Sequence, residues 1–166
     1  MWLWPVLALV AVQRLWELRL ADRNTKRLLA EGAIEVGAGH YPLFVVLHAS
    51  WLAAIAIATP WTAVPNLWWL ALYIVFQFGR LWVIATLGRF WTTRIITLPG
   101  APLETRGPYR FIRHPNYVVA SLEILVLPLA FGQVWIALVW SMANALLVAW
   151  RIRVEDRALQ DRRSRC

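Results

Sequence analysis

Apolar and polar positions along this chain are sorted into blocks rather than interleaved. Apolar stretches run over roughly 1–20, 41–59, 66–87, 116–131 and 133–150. They lack the period-2 alternation of barrel strands. A backbone facing lipid must satisfy its own hydrogen bonds, so each stretch predicts a helix. A bilayer span takes about 20 mostly apolar residues. The fourth and fifth stretches are short for independent spans. Their connector, Phe131-Gly132-Gln133, is tight and uncharged, which predicts a helical hairpin. The first stretch ends in Gln13, Arg14, Glu17 and Arg19. Their polar ends are expected to snorkel to the interface, with Arg14 and Glu17 at i,i+3 spacing. No basic n-region and no small-residue cleavage site mark that stretch as a signal peptide, so it is expected to be retained.

Charge changes the picture by giving it a direction. All seventeen basic residues except Arg80 lie in 14–27, 89–113 and 151–165. The connector at 60–65 and the turn at 131–133 contain none. By the positive-inside rule the basic segments share the cytoplasmic face. Five spans then put the N-terminus outside and the C-terminus inside, in a bacterial inner membrane. The net charge of +8 follows from this bias and from attraction to anionic headgroups, so no nucleic-acid partner is expected. Arg80 and Glu123 each interrupt an apolar stretch. An intramembrane ionisable residue is costly, and the simplest reading is a structural pair joining the third and fourth spans.

Composition agrees: the chain is 60% hydrophobic with mean hydropathy +0.55. Its twelve Trp fit interfacial belts and packing. Cys166 is the only cysteine. That excludes an intrachain disulfide and a cysteine metal cluster, and no metal is expected. Cys166 also lacks the residues of a prenylation box. No internal repeat or low-complexity tract divides the chain. The expected architecture is a single all-α membrane bundle over 1–166. It comprises three spans in 1–87 and, in 88–166, a loop, a helical hairpin and a C-terminal helix.

The segment from 88 to 115 is long for a connector in so small a protein, and loops of this length are usually functional or disordered. Its apolar content, from Phe90 and Trp91 to Phe111 and Ile112, argues for order. Pro99-Gly100 and Gly107-Pro108 punctuate it into turns. It holds five Arg and one acid, Glu104. It is either a positive anchor or an ordered site for an anionic group. Arg113-His114-Pro115-Asn116-Tyr117 leads into the fourth span. Pro115 suits the first turn of a helix, whose free N–H groups attract anions. His114 between Arg113 and that helix start, beside Tyr109 and Tyr117, is a candidate for gripping a carboxylate. Downstream, Arg151 and Glu155 have i,i+4 spacing and share one helix face. As a surface ion pair they would add only about 0.3–0.5 kcal/mol.

Gly107-x-Tyr109, Arg113-His-Pro-x-Tyr117, a helical hairpin and Arg151-x-x-x-Glu155-Asp156-x-x-Leu159 together resemble the isoprenylcysteine carboxyl methyltransferase family over roughly 88–160. The resemblance implies an integral membrane enzyme using S-adenosyl-L-methionine. It implies cofactor contacts from Tyr109, His114, Pro115, Asn116, Tyr117 and Glu155, with Arg151 facing the acceptor. Leu103 matches an apolar position in a cofactor-contacting strip, whose usual leading His is replaced here by Ala101. Glu104 is added as a ribose ligand, since carboxylates suit ribose hydroxyls. Arg113, Arg151 and Glu155 form the expected catalytic set.

These residue types suit methyl transfer. A carboxylate or acidic enol is already ionised near neutral pH, so no strong base is needed, and Arg can hold it by a fork of hydrogen bonds. The expected partners are the bilayer and a lipophilic or lipidated acceptor: isoprenylcysteine, another lipid acid, or the enol of an alkyl-pyrone or phenolic lipid. The alternatives are an NADPH-dependent membrane reductase, since membrane sterol reductases carry a similar Arg-His-Pro-x-Tyr, and a non-enzymatic scaffold or small transporter. A reductase should need a larger cofactor pocket and more spans, for which 166 residues leave little room. A scaffold has no use for the spacing from His114 to Glu155.

Overall fold

The computed structural model describes residues 1–159, so Cys166 and the end of the third basic segment lie outside the described residues. Five helices make the bundle: α1 (Leu3–Ala30), α2 (Tyr41–Ala58), α3 (Leu67–Leu87), α4 (Pro115–Ala130) and α5 (Val134–Ala158). The expected boundaries hold within two residues for α2, α3, α4 and the start of α5. Asn66 starts α3 because its Oδ1 accepts from the N–H groups of Trp68 and Trp69, at 3.0 and 3.4 Å. This satisfies two N–H groups that the first turn leaves without partners. Gly132, at φ +72, makes the turn between α4 and α5, so the hairpin forms as expected.

Helix α1 runs ten residues past its apolar stretch, and α5 eight past its own. No Gly or Pro interrupts either extension, and Asp22 pairs with Lys26 at i,i+4, 2.6 Å. In α1 the extension is held by burial of Ala21, Asn24, Thr25 and Leu28. Helices α2, α3 and α5 are each long and apolar enough to cross a membrane. Helix α4 is apolar but, at 16 residues, shorter. Most exposed Trp side chains collect in two zones. Trp2, Trp4, Trp61, Trp68, Trp69 and Trp135 lie at one end of the bundle, and Trp16, Trp82 and Trp150 lie further along α1, α3 and α5, towards the other. That is the distribution of interfacial belts.

Arg14, Glu17, Arg80 and Glu123 meet inside the bundle, where Arg80 and Glu123 are 5% and 1% exposed. Arg80 grips Glu123 through Nε, at 2.8 Å from Oε1, and through Nη2 on Oε2. Arg14 reaches Glu17 at 2.7 Å and Glu123 at 2.5 Å. Gln77 donates to Glu123 at 3.1 Å and Gln13 donates to Gln77 at 2.6 Å. Two cations and two anions cancel, and the amides occupy remaining lone pairs. The expected Arg80–Glu123 pair therefore exists, within a larger network tying α1, α3 and α4. The expected snorkelling of Gln13, Arg14 and Glu17 does not occur; only Arg19 stays exposed. The reason is energetic, since opposite charges inside the bundle offer partners that apolar lipid lacks.

A two-stranded sheet was not expected. β1 (Ile34–Val36) pairs antiparallel with β2 (Ile95–Thr97), with Ile34 opposite Thr97 and Val36 opposite Ile95. Both triplets are rich in β-branched residues, which suit a strand. Around this sheet, Arg94 pairs with Glu35 and Arg89 with Glu31, both at 3.0 Å. Asn24 donates to the carbonyls of Gly88 and Trp91, at 3.2 and 2.8 Å. Trp91 is buried with Ala21, Val83 and Ile84, and Tyr109 packs against them. The long segment after α3 is therefore ordered, pinned to the extension of α1.

Candidate active site

The antiparallel α4–α5 hairpin carries the start of α4 past the last turns of α5. His114 sits at the N-cap of α4, Pro115 occupies its first turn, and Tyr117 follows on the same turn. The Tyr117 hydroxyl donates to Glu155 Oε2 at 2.5 Å and accepts from Arg151 Nε at 2.8 Å. His114 stacks on Tyr117 with ring centroids 5.5 Å apart. Its Nδ1 lies 3.6 Å from Glu155 and its Nε2 3.3 Å from Asp156. Residues 114–117 and 151–156 thus converge on one spot at the basic end of the bundle.

Arg151 is buried, at 6% exposure. It does not pair with Glu155 as a neighbouring ion pair; Tyr117 stands between them. Its Nη2 donates to the Thr93 carbonyl at 2.7 Å. The guanidinium lies over the rings of Phe44 and Tyr117, at 5.1 and 5.6 Å from their centroids. Such stacking holds a cation in a fixed plane while leaving its edge to hydrogen bond.

Asn116 Oδ1 is buried and has no hydrogen-bond partner among the described residues, and the same holds for Trp91 Nε1. Buried polar atoms are normally paired; this orphaned acceptor sits on the first turn of α4, between His114 and Tyr117, and is open to a donor. Tyr109, half-buried, lies within electrostatic reach of Glu155 and Glu104. Burial and these carboxylates raise its phenol pKa, so it stays neutral.

Leu103, Glu104 and Arg113, the other expected site residues, make no hydrogen bond to the cluster among the described residues. Leu103 is half-buried in the loop. Glu104 accepts from the backbone N–H of Arg106 at 3.0 Å and from its guanidinium at 2.9 and 3.1 Å. Those bonds pull its pKa down to about 2. The carboxylate thus serves its own turn rather than reaching outward. Arg113 is exposed and makes no polar contact with the cluster among the described residues. Phe44, Thr93 and Asp156 also touch the cluster, and the motifs did not single out the first two. Asp156 was visible as the second acid of its motif. Thr93 contributes a carbonyl, which any residue type has, and Phe44 lies far away in sequence.

The family described as isoprenylcysteine carboxyl methyltransferase matches residues 69–161. An uncharacterized protein YpbQ of Bacillus subtilis (strain 168) is 38% identical over 162 residues, 95% of this chain and 96% of that protein. An uncharacterized protein of Haemophilus influenzae is 30% identical over 157 residues, 92% of this chain and 91% of that one. The cobalt-zinc-cadmium resistance protein CzcN of Cupriavidus metallidurans is 39% identical over 77 residues, 46% of this chain and 36% of that protein. No solved structure matches the chain.

Proposed function

The chain belongs to the isoprenylcysteine carboxyl methyltransferase family, and from that premise we propose that it is an S-adenosylmethionine-dependent O-methyltransferase. Its acceptor is the carboxylate or acidic enol of a lipophilic molecule. The observation that carries the reading is the meeting of His114, Tyr117, Arg151 and Glu155 beside the orphaned Asn116 Oδ1. When bound, the cofactor supplies an electrophilic methyl group to an oxyanion, with its sulfur as leaving group.

The residues fit such a cofactor. It carries an amine, hydroxyls and a sulfonium, so it needs acceptors and negative charge. Asn116 Oδ1 supplies an unused acceptor. Glu155 and Asp156 supply carboxylates that offset the sulfonium or orient the amine. Pro115 has no N–H and the Tyr117 N–H donates to the His114 carbonyl at 3.1 Å, so among the described residues the Asn116 N–H is the helix-start donor left for its carboxylate. Tyr109, Pro115 and Leu103 form walls. Arg151, held in plane by Phe44 and Tyr117, faces the acceptor anion. Alignment rather than base strength is then the main contribution of the protein. The water-soluble cofactor enters at the basic end, and the lipophilic acceptor arrives sideways from the bilayer.

Incubating purified protein with labelled S-adenosylmethionine and fractionated membrane lipids tests the activity. Transfer of label to a lipid fraction is expected, and transfer to none would refute it. His114→Ala tests the site. Its S-adenosylmethionine affinity, read by isothermal titration in detergent, is expected to fall about tenfold, because alanine cannot make the charge-assisted hydrogen bond of the imidazole. Its melting temperature should change little. Unchanged affinity would remove His114 from the cofactor site.

The same reading places the basic end in the cytoplasm. In Cys166→Ser protein, cysteines at Ala63 and Thr105 report the orientation. Thr105 is preferable to Gly100, whose φ of +80 disfavours a side chain. Impermeant reagent on intact cells is expected to label position 63 and not 105. The reverse labelling would overturn the orientation.

A further inference from the structure

The corner between the loop and α4 exposes what a soluble surface avoids. Phe111 is 74% exposed and Ile112 45%, and they are adjacent. Arg110 and Arg113 bracket them and are both exposed. Among the described residues neither Arg has an acidic partner; the Arg110 guanidinium lies 6.0 Å from the Phe111 ring centroid. Two apolar side chains between two unpaired cations is an amphipathic arrangement without a protein partner.

The fold fixes the depth of this corner. Gly107, at φ +57, lies so close to α3 that a Cβ there would stand 2.5 Å from Thr86 Oγ1 and 3.3 Å from Trp82 Nε1. Trp82 and Thr86 belong to the last turns of α3, and Trp82 is exposed on its outer side. Helix α3, at 21 residues, is about 31 Å long and matches the hydrocarbon thickness. Its last turns therefore reach the headgroup boundary. There the loop and α3 flank an open cleft of about 330 Å³ lined by Trp82, Ala85, Thr86, Arg106 and Gly107. Four residues further along the chain come Phe111 and Ile112, just before α4 enters the apolar core at Pro115.

We propose that the Arg110–Arg113 corner is a seat for anionic phospholipid. Phe111 and Ile112 enter the acyl-chain boundary, and Arg110 and Arg113 hold headgroup phosphates. Charge complementarity favours this occupant, since the loop from 88 to 115 has one acid, Glu104, and that acid is taken by Arg106. The seat lies between Tyr109 and His114, so an occupying lipid steadies both sides of the loop. Arg113 then acts on lipid rather than on the reacting groups.

The test is lipid association, which needs neither cofactor nor methyl transfer and so stands apart from the proposed activity. Spin-labelled phosphatidylglycerol and phosphatidylcholine are compared on the full chain in phosphatidylcholine vesicles. The wild type is expected to prefer phosphatidylglycerol. Arg110→Gln/Arg113→Gln should lower that preference several-fold, through loss of two charge-assisted headgroup contacts. Phe111→Ser, with both Arg intact, should lower it less. Arg19→Gln/Arg23→Gln makes the same charge change at exposed positions on the same end and should lower it little. An equal loss in that control would make the effect a diffuse surface potential and overturn the seat. Wild-type preference in the Arg110/Arg113 variant would overturn it as well. Inorganic phosphate at millimolar concentration should not displace the labelled lipid; full displacement would mark a plain anion site instead.

Discussion

Replacing Arg151 by alanine is expected to lower kcat/KM for the lipophilic acceptor roughly a hundredfold, the effect of removing a charge-assisted hydrogen-bonded pair worth about 2–3 kcal/mol. Arg151 is the buried cation of the cluster, fixed by Tyr117, the Thr93 carbonyl and the Phe44 ring. Its loss removes the group proposed to hold the acceptor anion. Cofactor affinity should stay nearly intact, because Tyr117 keeps its bond to Glu155. Arg151→Lys should restore only part of the activity. An ammonium cannot donate to Tyr117 and Thr93 in one plane and still meet a carboxylate. Glu155→Gln should show the opposite pattern, with weakened cofactor binding and a nearly unchanged acceptor KM. Initial rates against acceptor, together with cofactor titration, separate the two. If Arg151→Ala lost cofactor affinity and kept its acceptor KM, the two roles would be exchanged.

Glu123→Leu is expected to destabilise the protein by about 3–5 kcal/mol, as for other buried pairs that lose one member. It leaves Arg14 and Arg80 facing the single carboxylate of Glu17. Arg80→Leu should be similarly severe, because it leaves Glu123 held by Arg14 and the Gln77 amide only. The double variant Arg80→Leu/Glu123→Leu should be less destabilised than the sum. It removes one charge of each sign and leaves Arg14 and Glu17 as a neutral pair at 2.7 Å. Reversible unfolding in mixed micelles gives the three stabilities, and the double-mutant cycle gives the coupling. A structural network also predicts near-normal kcat/KM in the folded double variant. Strict additivity would contradict the network, and a folded but inactive double variant would place these charges in the chemistry.

The helices and the hairpin were legible in the sequence because lipid imposes a local demand. Every stretch facing it must be apolar and must close its own backbone hydrogen bonds, and each window of the chain reports whether it can. The two halves of the cluster, 114–117 and 151–156, were legible through the family motifs, and the fold shows the physical reason they meet. One lies at a helix start marked by Pro115 and the other on one face of a helix, so spacing and hairpin topology bring them together. Polar partners are different, because they are chosen in space. Arg14 finds Glu123 across 109 positions and Arg80 finds Glu17 across 63. Nothing along the chain shows that charges near the end of an apolar stretch turn inward rather than snorkel. The same holds for Arg151, whose partners are a carbonyl 58 positions away and a ring on α2. A carbonyl is common to all residues and so leaves no trace in their identity. Arg113 looked equivalent to its neighbours in the motif. Only the tertiary structure separates it, because the corner before Pro115 carries Arg113 outward as His114 and Tyr117 turn towards α5.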